Sequence, residues 1–180
     1  VEVVANDGTW VVLDCGTGAY VLSRDLRRRG PLPPLGHLLI GHAHWDHIQG
    51  LPFFAPLFQV GNRWELYGPS GLGGSLSEIL AGQMEYRYFP VAIDQLSADV
   101  DHHDLVEGTF DIDDVRVDTQ YLNHPALTLG YRLEADGATV LNRVLASGET
   151  HNFEAQGQIV LSVGNAGGLV LKVNDHPGVS

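Results

Sequence analysis

Apolar and polar positions along this chain alternate with two different periods. Residues 1–5 and 9–14 are β-rich runs, and Asn6, Asp7 and Gly8 between them predict a hairpin turn. Over residues 19–29, Leu22 and Leu26 fall on one face of a helix. Gly30 stops that helix, and Pro31, Pro33 and Pro34 form a stiff connector. His37, Leu38, Leu39 and Ile40 predict a buried strand. A second helix is expected from Asp46 through Ile48 and Gly50, broken by Pro52. Phe53, Phe54, Leu57 and Phe58 read as core and pocket wall. Residues 63–67 predict a strand ended by Gly68 and Pro69, and residues 75–82 a helix after the glycine-rich turn at Gly71, Gly73 and Gly74. Met84, Tyr86, Tyr88 and Phe89 read as packing residues, with lining of a substrate groove as the alternative. Phe110, Ile112, Val115 and Val117 suggest a hairpin turning at Asp113 and Asp114, and Asp136-Gly137 a further hairpin turn. Sheet-like and helix-like segments that alternate in this way define an α/β domain.

With 180 residues the chain can bury a real core, and 44% hydrophobic against 18% charged residues places it among globular proteins. No apolar run approaches the ~20 residues needed to span a bilayer, and no signal-peptide pattern opens the chain. No membrane partner is expected. The chain starts at Val1 inside a strand-like run without an initiator Met, which reads as a piece of a longer protein. A formal net charge of −12 repels phosphate backbones unless metal ions or a basic patch reverse the field, so general nucleic-acid binding is discounted. The basic cluster Arg27, Arg28, Arg29 fits a helix C-terminus better than a binding patch. Cys15 is the one cysteine, so no internal disulfide forms, and a reducing, cytoplasmic setting is expected.

The chemistry concentrates in one hexapeptide. His42, His44, Asp46 and His47 follow directly on the apolar run and so sit at a strand end. Imidazole and carboxylate together suit zinc, manganese or iron(II). His42 and His44, two apart, can reach one ion, while Asp46 and His47 point toward a second. Two ions about 3.5–4 Å apart suit such a loop. His102 and His103 alternate across a strand and read as surface residues, unable to share an ion.

The run His-x-His-x-Asp-His, and the longer string GHAHWDHIQGLPFF over residues 41–54, resembles the signature of the metallo-β-lactamase superfamily, in its phosphodiesterase and ribonuclease Z-like branch. The resemblance covers about residues 1–140. It implies an αββα sandwich, here incomplete, and a metal-dependent hydrolase, with a phosphodiester as the preferred substrate. It implies that His124, in Leu122-Asn123-His124-Pro125, completes the first metal site with His42 and His44. Asp46 and His47 would hold the second ion, and Asp46 would also orient or deprotonate the attacking water. Asp14, in Asp14-Cys15-Gly16, would orient a metal-bound histidine, or else stabilise its own turn. Two zinc ions are the family expectation, with manganese or iron open. Trp45 is expected to pack beside the loop.

The resemblance thins after residue 140. Thr139, Val140, Leu141, Asn142 and Arg143 lack the aspartate that bridges both metals in relatives. Residues 1–142 are therefore expected to form the metallo-β-lactamase-like domain and 143–180 a β-rich tail. That tail resembles part of the C-terminal β-domain of the bacterial cytoskeletal protein RodZ, through its Gly148-Glu149-Thr150 and Gly164-Asn165-Ala166-Gly167 turns. His151 is a weak candidate ligand there, with Asp175 and His176 weaker still. Two other functions stay open: a truncated, catalytically impaired metal-binding or interaction module, and an ester or thioester hydrolase. A homo-oligomer would supply absent ligands from a second copy.

Overall fold

The computed structural model describes residues 1–5, 7–30, 34–71 and 73–135, together with the backbone of 138–142, 172–173 and 176–177. Strands β1 (Glu2–Val4) and β2 (Trp10–Leu13) form the antiparallel pair expected at the N-terminus. Helix α1 (Gly18–Arg29) carries Arg27, Arg28 and Arg29 in its last turn, where cations favour the helix dipole. Arg29 reaches back to the buried Glu2 at 2.7 Å, and Glu2 also accepts from Trp10 Nε1 at 2.9 Å. These contacts clamp the helix onto the first strands.

Strand β3 (Leu35–Leu39) then joins β2 in parallel. The expected second helix shrinks to one turn, α2 (Trp45–Ile48), followed by 3₁₀ turns over Leu51–Phe53 and Ala55–Phe58. Pro52 and Pro56 lack the N–H that a continuing α-helix needs, so tight turns replace it. Strand β4 (Arg63–Pro69) and β5 (Asp99–Leu105) complete a five-stranded sheet in the order β1-β2-β3-β4-β5. Helix α3 (Leu76–Gln83) lies between them in sequence, started by a capping box of Ser75 and Glu78.

A second, antiparallel sheet follows: β6 (Gly108–Ile112), β7 (Val115–Tyr121), β8 (Leu129–Ala135) and β9 (Ala138–Asn142). The β6–β7 turn falls at Asp113 and Asp114, with Asp113 at φ 47°. Two short strands, β10 (Lys172–Val173) and β11 (His176–Pro177), pair with each other. The rest of the tail from residue 143, with its expected likeness to RodZ and with His151 and Asp175, lies outside the described residues. So do the side chain of His176 and the turn at Asp136-Gly137.

Alternation along each strand sorts the core into two layers. Trp10, Val12, Leu38, Ile40, Trp64 and Leu66 face the helices, where they meet Leu22, Leu26, Phe54 and Leu80. Val11, Leu13 and Leu39 face the second sheet and meet Val115, Val117, Leu129 and Leu133. Among the described residues the fold is thus three of the four layers of an αββα sandwich. Trp64 anchors the helical side. Its ring meets Trp10 edge-on at 4.8 Å and Phe54 at 5.0 Å. Gly36 lies beneath it, where an added Cβ would come within 2.6 Å of the indole.

Trp64→Ala is expected to cost about 3–5 kcal/mol, read as a shift in urea midpoint at unchanged slope. A loss below about 1 kcal/mol would show that the ring is not a packing centre.

Candidate metal centre

The C-terminal ends of β2 and β3 meet at one carboxylate. Asp14 sits in the left-handed region at φ 56°, a conformation few non-glycine residues adopt. Its Oδ1 accepts from the Gly41 N–H at 2.8 Å, and its Oδ2 lies 2.8 Å from His47 Nδ1. One side chain therefore fixes both ends of the His42–His47 loop. The backbone of the Asp14 turn adds to this. Cys15 N–H donates to the His47 carbonyl and Gly50 N–H to the Cys15 carbonyl, each at 2.7 Å. The approach is too close for side chains. A Cβ on Gly16 would lie 2.1 Å from the Asp46 carbonyl oxygen, and one on Gly50 would lie 2.0 Å from that of Gly16. Cys15 is fully buried and burial pushes its thiol pKa up, so it packs here rather than reacts.

The second sheet is tied to the same loop. Leu129 N–H donates to the Gly41 carbonyl at 2.9 Å, and Tyr131 Oη to the Ile40 carbonyl at 2.8 Å. These bonds bring the β7–β8 connection over the strand ends. His124 lies on that connection. Its Nδ1 accepts from the Ala126 N–H at 3.1 Å and contacts the Thr128 hydroxyl at 3.1 Å, which holds the ring in place.

The result is an imidazole cluster. Donor atoms of His42, His44 and His124 all lie within 4.8 Å of one another. Ring centroids are 4.5 Å apart for His42–His44, 4.7 Å for His42–His124 and 4.1 Å for His42–His47. Asp46 stands beside His47, its Oδ2 3.4 Å from His47 Nε2. His42 is buried and its Nδ1 has no hydrogen-bond partner. Burial, with the neighbouring His47, His44 and His124, lowers its pKa to about 4. A buried imidazole that stays neutral, keeps a nitrogen without a partner and packs against His44, His47 and His124 fits a metal ligand. His47 is shifted the other way, raised by its bond to Asp14.

The remaining candidates separate from this cluster. His102 is half-buried and His103 stands 2.6 Å from Glu65 on the other side of β5, so neither joins it. Trp45 does not pack beside the loop as expected. It is 73% exposed, whereas Ile48 on the same single turn of α2 is buried. Met84 and Phe89 pack against the core, whereas Tyr86 and Tyr88 are exposed. Sequence reasoning missed the bonds from Leu129, Tyr131 and Thr128, and the close backbone approach at Gly16 and Gly50. The two glycines were visible as turn residues, but nothing local marks what faces them.

A two-layered sheet with imidazoles converging at its strand ends defines an α/β domain built for divalent metal binding. A family model described as the β-lactamase superfamily domain matches residues 9–174, and the chain belongs to the metallo-β-lactamase superfamily. Its relatives include ribonuclease Z of Haloarcula marismortui, 26% identical over 136 residues, covering 74% of this chain and 40% of that protein. Ribonuclease Z of Macrococcus caseolyticus is 30% identical over 146 residues, covering 76% and 44%. The crystal structure of human tRNase Z, short form, shares the fold with a TM-score of 0.52 at 21% identity, covering 76% of this chain and 58% of that one. The chain spans less than half the length of the two curated relatives. Among the described residues no helix is long and apolar enough to cross a membrane.

Gly50→Ala should destabilise the fold by about 1–3 kcal/mol, since backbone must move to admit the methyl group. Gly82→Ala, with nothing within 4 Å of the added Cβ, should gain up to about 1 kcal/mol. Thermal melts of the two variants should therefore move in opposite directions, and a parallel shift would refute the close-approach argument.

Proposed function

We infer that this chain carries the metal centre of a hydrolase acting on phosphodiester bonds. The observation that carries the reading is the convergence of His42, His44 and His124, drawn from two segments far apart in sequence, with one buried nitrogen of His42 left without a partner. The ribonuclease Z relatives favour a phosphodiester over an ester or thioester. A cytoplasmic setting, expected from the lone Cys15, belongs to the same reading.

His42, His44 and His124 would hold the first ion, and Asp46 and His47 a second. Zinc is the default for this donor set, with manganese and iron as alternatives. Bound there, divalent ions polarise a phosphoryl oxygen and make water nucleophilic near neutral pH. The protein's own residues do the rest. Asp14 takes the Nδ1–H of His47 and so fixes the tautomer that keeps a lone pair on Nε2. Asp46, with its side chain 75% exposed, is placed to accept a proton from the attacking water. The second position has two donors against three at the first, so it would hold its ion less tightly.

Elemental analysis of the dialysed chain should find at least one equivalent of metal per chain, lost in His42→Ala and His124→Ala. Asp14→Asn should weaken metal affinity about 10- to 100-fold, because the His47 tautomer is released. Turnover of bis(p-nitrophenyl) phosphate should fall about 100-fold or more in Asp46→Ala, with the first equivalent retained. Retention of metal in both histidine variants would sink the assignment. One tightly held ion without turnover would instead indicate a binding module.

A further inference from the structure

Trp45 is the residue of the metal loop that packing does not explain. Trp10 and Trp64 are 2% and 1% exposed, whereas Trp45 is 73% exposed between His44 and Asp46. An indole kept in water forgoes the gain from burying its apolar surface. The other segment that brings an imidazole to the cluster does the same. Leu122 and Leu127, on the β7–β8 connection, are 37% and 45% exposed. Both ligand-bearing segments thus present uncovered apolar groups.

Charge points to the size of what would cover them. A polynucleotide needs several cations along its phosphates. Among the described residues, Arg29, Arg63, Arg87, Arg116 and Arg132 each already lie within ion-pair distance of a carboxylate. Arg24, Arg27 and Arg28 lie on the middle and last turns of α1, whose first turn abuts the metal loop. At about 1.5 Å per residue they stand about 9, 14 and 15 Å along the helix from Gly18. The whole chain bears −12. Three arginines on one helix are few against such a charge, so recognition beyond the metal must then rest mainly on uncharged contacts.

We propose that Trp45 is a specificity-determining stacking platform, which holds the aromatic group of a small phosphodiester beside the His42–His44–His124 cluster. The assignment rests on the phosphodiesterase reading above. The aromatic group is either a nucleobase or a simple aryl ester. Stacking on one exposed aromatic corresponds to about 5- to 150-fold in affinity.

The test uses the zinc-loaded chain, with affinities read by isothermal titration calorimetry and contact with Trp45 read by acrylamide quenching of tryptophan emission. Since Trp10 and Trp64 are shielded, the quenchable signal belongs to Trp45. Phenylphosphonate is compared with methylphosphonate, and adenosine 5′-monophosphate with ribose 5-phosphate. At least one aromatic member should shield Trp45 and bind about 5- to 150-fold tighter than its non-aromatic counterpart. The pair that shows the gap identifies the aryl or the nucleobase source. Trp45→Ala should erase the gap and Trp45→Phe should keep most of it, with metal content unchanged in both. Equal binding within both pairs, or a gap that survives Trp45→Ala, overturns the assignment while leaving the metal centre intact. A short oligoadenylate that binds tighter than the mononucleotide, with steep salt dependence, overturns the small substrate. Failure to take up zinc overturns the phosphodiesterase reading and this proposal with it.

Discussion

The metal loop has its shape because two turns touch backbone to backbone. Asp14 binds Gly41 with one carboxylate oxygen and His47 with the other. Gly16 and Gly50 let the turn after β2 lie directly on the loop after β3. This contact converts sheet geometry into ligand geometry. The parallel register Leu13↔Leu39 sets the two strand ends level, so the turns above them must meet. A loop held only at its two chain ends would leave four side chains free to scatter. Here Gly41, just before the first histidine of the motif, and His47, its last, are pinned to a single side chain.

The second sheet contributes position more than chemistry. Its inner face packs on the first sheet through Val115, Val117, Leu129 and Leu133. That packing alone would permit sliding. The bonds from Leu129 to Gly41 and from Tyr131 to Ile40 fix the register between sheets at the one place where it matters. His124 arrives as a consequence. The same residue pair that seals the core thus completes the cluster, so stability of the sheet packing and geometry of the site cannot vary independently.

How much of this was legible follows from how local each signal is. The strand expected around His37 to Ile40, observed as Leu35–Leu39, and the candidate ligands after it were readable because apolar run and imidazoles are adjacent in the chain. His124 is some eighty positions from His44, and no periodicity links them; a family resemblance was needed to single it out. Helix α1 ends where its basic turn and Gly30 said it would. The helix after Asp46 was overestimated, since two prolines compete with it a turn later. Trp45 was misplaced for a different reason. Tryptophan usually packs, and on a single turn of helix no pattern of neighbours reveals which face it takes.

The electrostatics of the cluster explain why such a site can exist in the folded chain at all. Four imidazoles with ring centroids 4.1 to 5.8 Å apart repel one another once protonated. The most buried of them, His42, responds by staying neutral, its pKa lowered to about 4 by burial first and by its neighbours second. His47 avoids the conflict through Asp14, which supplies the opposite charge. A neutral nitrogen is also what a divalent cation requires, so at His42 one arrangement serves both the stability of the fold and the affinity of the site. An acidic chain adds a long-range field that draws cations in and turns anions away. Metal capture is thereby favoured twice over, whereas the anionic substrate proposed above would meet opposition until the cation's charge is in place. On that proposal, selectivity for the substrate would come from short-range contacts at the rim, where the field is overcome locally and shape decides.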